Sequence, residues 1–320
     1  MIRVILSESN EPSFNLAAEE FLLRNSEDEI YFFYINKPSV IIGKHQNALA
    51  EVDINFLQEN NISLHRRLSG GGTVYHDYGN INFCFIKVGE PGDLVNFEKA
   101  TLPIVEVLNQ WNIPARSGKR NDLLVNFKKI SGNACHVFKR RVMHHGTLLY
   151  NSDIDNLTKS LKNDPNKFKD RAVKSVRSEV MNLIEMYDKD KSASDFLDDL
   201  INGIIKNNPN TKINNLSDNE INTINKLKQN KYSTDDWNYS YGPTYEFKKR
   251  TKIDKWIFQV ALHIEKGIIN KAKINSNYSD KELIFSLEKA IINKYHRYSD
   301  LKNSLNNFDY SIDNLASIFF

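Results

Sequence analysis

The chain has 320 residues, 40% hydrophobic and 26% charged, with a net charge of +3. That length holds a substantial core and about two domains of ordinary globular composition. The absence of any ~18-residue apolar run argues against a membrane span, the short and soon polar Met1–Ser7 start against a signal peptide, two cysteines against a disulfide framework, and the mild charge against nucleic acid.

In chain order, residues 1–9 predict a first strand, and residues 13–25 a helix with Ser13 as N-cap and Phe14, Leu16, Ala17, Phe21 and Leu22 on its apolar face. Strands are expected at Ile30–Ile35 and Val40–Ile42, with Lys37-Pro38-Ser39 turning between them. A short helix over 53–60 comes next, then an apolar run at Ile62 and Leu64. Residues 66–82 read Arg-Arg-Leu-Ser-Gly-Gly-Gly-Thr-Val-Tyr-His-Asp-Tyr-Gly-Asn-Ile-Asn. Backbone N–H groups of such a glycine loop can approach an anion closely, because no Cβ stands in the way. Arg66 and Arg67 add planar, permanent positive charge suited to carboxylate or phosphate. Ile81, Phe83 and Phe85 then mark a strand, with Cys84 as a small core or pocket residue.

Glu98–Trp111 predicts a helix with a broad apolar face and Pro103 near its first turn. Residues 122–131 predict a hairpin, although Phe127 stands where a two-residue turn favours Gly. Residues 144–150 predict a strand, and a helix is expected near 155–163 before a polar, basic loop. Ser194–Lys206 is an amphipathic helix with Ser194 as candidate N-cap. The polar stretch 207–236 holds a short helix near 217–228 and a linker, and Lys248-Lys249-Arg250 marks the expected boundary. Strands at 256–264 and 268–275 and helices near 279–294 and after 310 complete the chain, giving domains 1–245 and 246–320. His144 and His145 are adjacent on a strand, so they face opposite ways and cannot easily share one metal ion. Nothing beyond His136 marks a lowered pKa at Cys135, so a reactive thiol there is not expected.

The 66–82 string resembles the signature of the lipoate–protein ligase A family, which shares its catalytic fold with biotin protein ligases. That signature is Arg-Arg-x-Ser-Gly-Gly-Gly-x-Val-Tyr-His-Asp-x-Gly-Asn-x-Asn, matched here at every fixed position. Lys129-Ile130-Ser131-Gly132-Asn133-Ala134 resembles the family's Lys-[Val/Ile]-Ser-Gly-[Ser/Asn]-Ala. Asn121-Asp122 resembles the end of its Gly-Arg-Asn-Asp, with one extra residue in Gly118–Asp122. Asn15–Glu20, Gly43–Asn47, His144–Thr147, the 170–182 loop and Trp237–Pro243 are similar to further family segments.

The resemblance implies an α+β fold: a biotin/lipoyl protein ligase-like mixed-sheet catalytic domain with a small α+β C-terminal domain. It implies an ATP-dependent lipoate–protein ligase that forms lipoyl-AMP and passes the lipoyl group to a lysine of a protein acceptor. It implies Lys129 as catalytic, since a fixed ammonium screens the two reacting anions and stabilises charge at the phosphorus centre. It implies substrate or nucleotide binding by Arg67, Ser69, Gly70, Gly71, Gly72, Tyr75, His76 and Asn80, by Asn121 and Asp122, by His145, Gly146 and Thr147, and by Lys174, Ser175 and Val176. His145 is preferred to His144 by its position relative to Lys129, and Arg177 joins Lys174 as a cover for the AMP phosphate. Asp122 is the candidate Mg²⁺ ligand. The 81–86 strand is expected to floor an apolar slot for the acyl tail.

The cofactors implied are ATP and Mg²⁺, with lipoate as substrate. The partners implied are lipoyl domains of 2-oxoacid dehydrogenase E2 subunits or the glycine cleavage H protein, with no nucleic acid and no membrane. The expected location is the cytoplasm, or the mitochondrial matrix for a eukaryotic source. The alternatives are a lipoyltransferase that uses preformed lipoyl-AMP without ATP, and a catalytically lapsed module that only recognises lipoyl domains. The motifs leave lipoate and octanoate undistinguished.

Overall fold

A computed structural model describes residues 1–89, 94–161, 164–176, 178–305, 308 and 315–320. The chain begins β1 (Ile2–Leu6), α1 (Pro12–Asn25), β2 (Glu29–Ile35), β3 (Ser39–Ile42), α2 (Ala48–Glu51), α3 (Ile54–Glu59) and β4 (Ser63–Arg66). The glycine loop leads to β5 (Val74–His76), β6 (Asn80–Val88), α4 (Phe97–Gln110), β7 (Arg116–Ser117), β8 (Asp122–Val125), β9 (Lys128–Phe138) and β10 (Arg141–Leu149). There follow α5 (Ile154–Ser160), β11 (Phe168–Lys169), α6 (Ala193–Asn207), β12 (Thr211–Ile213) and α7 (Asp218–Leu227). The last part holds β13 (Tyr245–Ile253), β14 (Trp256–Glu265), β15 (Ile268–Ser276), α8 (Lys281–Ile291) and α9 (Tyr298–Ser304).

The fold is α+β, built on an eight-stranded mixed sheet in the order β12-β1-β2-β6-β10-β9-β8-β7. β1 runs parallel to β12 and β2, and the remaining neighbours are antiparallel. Period-two alternation sends Tyr31, Phe33, Phe83 and Phe85 to the core under α4 and α6. Ile30, Phe32, Tyr34 and Cys84 go to the opposite core under α1 and α7. Burial on both faces is why these strands read as continuous apolar runs. A three-stranded sheet, β4-β3-β5, carries the glycine loop beside the large sheet.

Several boundaries differ from expectation for local reasons. Pro12 occupies the first turn of α1 and Glu11 is its N-cap residue, so Ser13 lies inside the helix, buried. The cap of α6 is Ser192, in a reciprocal capping box with Asp195, and not Ser194. Pro103 lies within α4, past its first turn. Asn126 and Phe127 take φ of +49° and +67°, so the β8–β9 hairpin has the left-handed turn that favours Gly, with Phe127 86% exposed.

A four-stranded antiparallel sheet, β11-β13-β14-β15, packs with α8 and α9 around its own hydrophobic cluster. Lys248, Lys249 and Arg250 lie inside β13, not between elements. Lys249 Nζ donates to the carbonyls of Ser317 and Phe320, tying the last residues onto this sheet. The helix expected after 310 falls largely outside the described residues; the described end holds helical Leu315 and Ala316 and then a 3₁₀ turn, Ser317–Phe319.

Candidate active site

β4 and β5 hold the glycine loop against the Gly43–Asn47 turn. Gly71 has φ +93°, a conformation costly for any residue with a Cβ. The two arginines before it have separate duties. Arg66 is fully buried, and its guanidinium donates to five backbone carbonyls: Gly43, Lys44, Gln46, Trp237 and Asn238. Trp237 Nε1 returns a bond to the Arg66 carbonyl at 2.7 Å. Arg66 therefore commits most of its donors to backbone carbonyls and fastens the stretch after α7 to the motif, so the positive charge expected from both arginines is offered to the cavity by Arg67 alone. Arg67 lines the cavity but also braces its own loop, donating to Ser69 Oγ and to the carbonyls of Ile41, Gly70 and Gly72. Burial lowers the Arg67 pKa to about 10, which leaves it cationic at neutral pH.

From Arg67 a buried polar chain runs inward. Ser69 Oγ meets His145 Nε2 at 2.5 Å, and His145 Nδ1 meets Glu19 Oε2 at 2.8 Å. Tyr34 Oη donates to the same carboxylate at 3.0 Å. A carboxylate accepts, so Nδ1 carries the proton toward Glu19, and both nitrogens of His145 are engaged. The sequence reading treated Glu19 only as part of a helix. The missed signal was its spacing: Leu16, Glu19, Glu20 and Leu23 share one face of α1, and all four are buried. Glu20 faces a separate cluster, accepting from Arg24, Lys231 and Tyr232, and these bonds outweigh burial to lower its pKa.

The β8–β9 hairpin supplies the other wall. Lys129 crosses over Gly132, where a Cβ would stand 3.0 Å from its Nζ; a side chain there would displace the ammonium. Burial lowers the Lys129 pKa, and the neighbouring Asp122 partly opposes this. Asp122 Oδ1 accepts from the Arg120 N–H at 3.2 Å. Asn133 Nδ2 donates to the Asn121 carbonyl at 2.8 Å, holding the lengthened Gly118–Asp122 turn against β9.

The roof is the stretch 170–176. Ser175 Oγ contacts the Glu51 carboxylate, accepts from the Thr73 N–H at 2.8 Å and meets Gln46 Nε2 at 3.2 Å. Gln46 Nε2 also reaches the Val173 carbonyl at 3.3 Å, and Asn47 Nδ2 reaches Asp170 Oδ2 at 3.1 Å. The Gly43–Asn47 turn and the glycine loop thus hold the roof down together. Arg177 lies outside the described residues.

These walls enclose a cavity of about 270 Å³. Of the expected residues, Arg67, Gly71, Gly72, His76, Asn121, Asp122, Lys129, His145, Gly146, Thr147, Lys174, Ser175 and Val176 line it. A second space of about 520 Å³ shares Lys129, Thr147 and Lys174–Val176 with the first and adds Tyr75, Leu149, Leu157 and Leu161. Ser69, Gly70 and Asn80 line neither; Ser69 acts through Arg67 and His145, and Asn80 donates to Asn82 at 3.0 Å. From the 81–86 strand only Asn82 reaches the first cavity, because Ile81, Phe83 and Phe85 point into the core. Cys135 is half-buried and burial raises its thiol pKa, which leaves it a poor nucleophile. No cluster of three or more potential metal-ligating side chains occurs among the described residues.

The family model for the lipoyl protein ligase A/B catalytic domain matches residues 11–205, and that for the bacterial lipoate protein ligase C-terminus matches residues 242–317. Lipoate–protein ligase 1 of Staphylococcus aureus is 37% identical over 301 residues, covering 93% of this chain and 92% of the relative. Lipoate-protein ligase LplJ of Bacillus subtilis is 34% identical over 300 residues, covering 92% and 91%. P. falciparum LipL1 in complex with lipoate aligns with TM-score 0.63 at 26% identity, over 99% of this chain and 98% of that one. A lipoate-protein ligase A bound with ATP aligns with TM-score 0.63 at 28% identity, over 74% and 98%. A bipartite lipoate protein ligase of Thermoplasma acidophilum, studied with its E2 lipoyl domain, aligns with TM-score 0.63 at 27% identity, over 74% and 95%. With its signature loop, its mixed sheet and both family regions in place, this chain belongs to the lipoate–protein ligase family and is a ligase.

Proposed function

We propose that this chain activates lipoate with ATP and transfers the lipoyl group to a lysine of a protein acceptor. The observation that carries this reading is one cavity that combines charged groups, unpaired among the described residues, with an apolar wall. Lys129, Lys174 and Asp122 are its charged groups from β9, the roof and β8, and Leu16, Tyr34 and Ile41, which share one hydrophobic cluster, form the apolar wall. Tyr34 on β2 and Lys129 on β9 are three strand steps apart, about 14 Å at ordinary strand spacing. An extended acid with an apolar tail fits that span, its carboxylate toward Lys129 and its tail toward β2. The larger neighbouring space, lined by Tyr75, Leu149, Leu157 and Leu161, suits an adenine base.

In the first step a lipoate carboxylate oxygen attacks the α-phosphorus of ATP, and the bond to the leaving pyrophosphate breaks. Lys129 and Lys174 stabilise the charge gathered there, and the Gly71–Gly72 backbone lies beside it. Asp122 is the one carboxylate among the described residues that line that cavity. A single carboxylate fits Mg²⁺, which keeps waters and substrate phosphates as its other ligands and would neutralise charge on the phosphates. In the second step the acceptor's neutral amine attacks the acyl carbon, AMP leaves with the carbonyl–phosphate oxygen, the nitrogen gives up one proton to the departing phosphate, and the amide forms. The Ser175 roof excludes water, which would hydrolyse the adenylate.

The acceptors proposed are lipoyl domains of 2-oxoacid dehydrogenase E2 subunits and the glycine cleavage H protein; the bipartite ligase studied with its E2 lipoyl domain supports the first. We assign residues 1–245 to catalysis and 246–320 to an accessory domain, a division supported by a hydrophobic cluster drawn mainly from 245–320, which Leu49 and Phe168 of the first part join. The unpaired Cys84 and Cys135 suit the reducing cytoplasm. Among the described residues, no helix is long and apolar enough to cross a membrane.

The test is intact-mass analysis of an E2 lipoyl domain after incubation with the chain, lipoate, ATP and Mg²⁺. One lipoyl group gained at a single lysine is expected. Gain only from synthetic lipoyl-AMP would instead establish the lipoyltransferase reading, and no gain from either source would overturn both.

A further inference from the structure

His76 sits on β5 and lines the cavity beside Leu16, Tyr34, Ile41 and Val74. Its protonation is dictated by a relay of side chains. Asn15 Nδ2 donates to the Ser9 carbonyl at 2.7 Å, and a carbonyl only accepts, so the amide orientation of Asn15 is fixed. The same NH₂ donates to Asn36 Oδ1 at 2.8 Å, which fixes Asn36 in turn. Asn36 therefore presents its NH₂ to His76 Nδ1, at 2.9 Å. Nδ1 must accept, and the ring proton belongs on Nε2. Burial, with Arg67 and His145 nearby, lowers the His76 pKa to about 3, so the ring is neutral at neutral pH. The Nε2 atom is buried and has no hydrogen-bond partner among the described residues. An orphaned buried donor is costly, and at a binding cavity it points to an acceptor that arrives with the ligand.

We infer that His76 is a specificity-determining residue: its Nε2–H donates to a sulfur at the far end of the acyl chain, and a purely hydrocarbon end leaves it orphaned. This rests on the reading of the cavity as the lipoate site. Lipoate and octanoate share a carboxylate and an eight-carbon chain, and differ where lipoate closes a cyclic disulfide. Divalent sulfur is a weak acceptor, and a saturated carbon is none. The carboxylate end cannot tell the two acids apart, so discrimination falls to groups at the tail.

The test compares kcat/KM for lipoate and octanoate in the full chain and in two variants. Asn36→Asp keeps an acceptor for Asn15 and offers another to His76 Nδ1, which draws the ring proton off Nε2. His76→Leu removes the donor outright. Both variants should lower the lipoate-to-octanoate ratio by about threefold to tenfold, the scale of one modest hydrogen bond. In ¹⁵N NMR of the wild-type chain at neutral pH, His76 should show the Nε2–H tautomer. That signal should move on adding lipoate, and less on adding octanoate. An Nδ1–H tautomer in the wild-type chain, or a ratio unchanged in both variants while both acids are still used, overturns the inference alone. A wild-type chain that binds neither acid overturns the lipoate-site reading, and this inference with it.

Discussion

The two ends of the cavity hold charge in opposite ways. At the β2 end, Arg67, Ser69, His145 and Glu19 bond one another or backbone carbonyls, in a chain shut away from water. At the hairpin end, Lys129 and Lys174 form no ion pair among the described residues, and only one Asp122 oxygen is engaged, by a backbone N–H. A saturated charge is a brace, and an unsaturated one is a reagent. The contrast predicts that substitutions at the closed end cost stability, whereas those at the hairpin end cost rate.

The largest effect should come from the closed end. Glu19→Ala leaves the Tyr34 hydroxyl and the His145 Nδ1–H buried without their acceptor, and should lower unfolding free energy by about 3–5 kcal/mol. Denaturant midpoints read this directly; an unchanged midpoint would break the contrast at its stronger side. Next, Lys129→Ala should raise the adenylation barrier by about 2.7–4 kcal/mol with little change in melting temperature. Its pH profile sharpens the point. Burial lowers the Lys129 pKa, so the ammonium is lost at a lower pH than in free lysine, and adenylation should fall on an alkaline limb below pH ~10.4. A limb at or above that value would mean that Lys129 is effectively solvated.

Gly71→Val tests the loop between the ends. At φ +93° a side chain should cost about 1–2 kcal/mol, and the new Cβ would stand 3.0 Å from an Arg67 guanidinium nitrogen. Lipoate affinity by calorimetry should drop in a chain that still folds; equal affinity would reduce the loop to a turn. Last comes acid sensitivity, the smallest effect when counted per ring and per pH unit. Burial lowers His76 to about 3 and, elsewhere, His65, His144 and His296 to about 4, from 6.5. Below pH 6.5 the unfolded chain takes up protons that the folded chain refuses. Stability should therefore fall as pH drops from 6.5 toward 4, by up to about 1.4 kcal/mol per pH unit per histidine. A flat urea midpoint across that window would show that these rings are not held neutral.

The large sheet was legible because its strands are buried on both faces and announce themselves as unbroken apolar runs. β13 was not: Tyr-Glu-Phe-Lys-Lys-Arg-Thr-Lys-Ile buries one face only, and its three basic residues resemble a linker. Residues of separate motifs meet at one cavity: Lys129, Asp122, His145 and Lys174 come from different elements and line it together. What the motifs could not separate was brace from contact. Arg66 and Arg67 are neighbours in one string and both brace backbone carbonyls, yet only the second also lines the cavity. Glu19 and Asn36 escaped notice because their importance lies in bonds to residues 126 and 40 positions away.

The most direct measurement is pyrophosphate release from ATP and Mg²⁺, with and without lipoate, before any acceptor is added. The account predicts lipoate-dependent release of about one pyrophosphate per chain, with the adenylate retained under the Ser175 roof, and sustained turnover once a lipoyl domain is supplied. No lipoate-dependent release, from a chain that still transfers the acyl group of synthetic lipoyl-AMP, would contradict it.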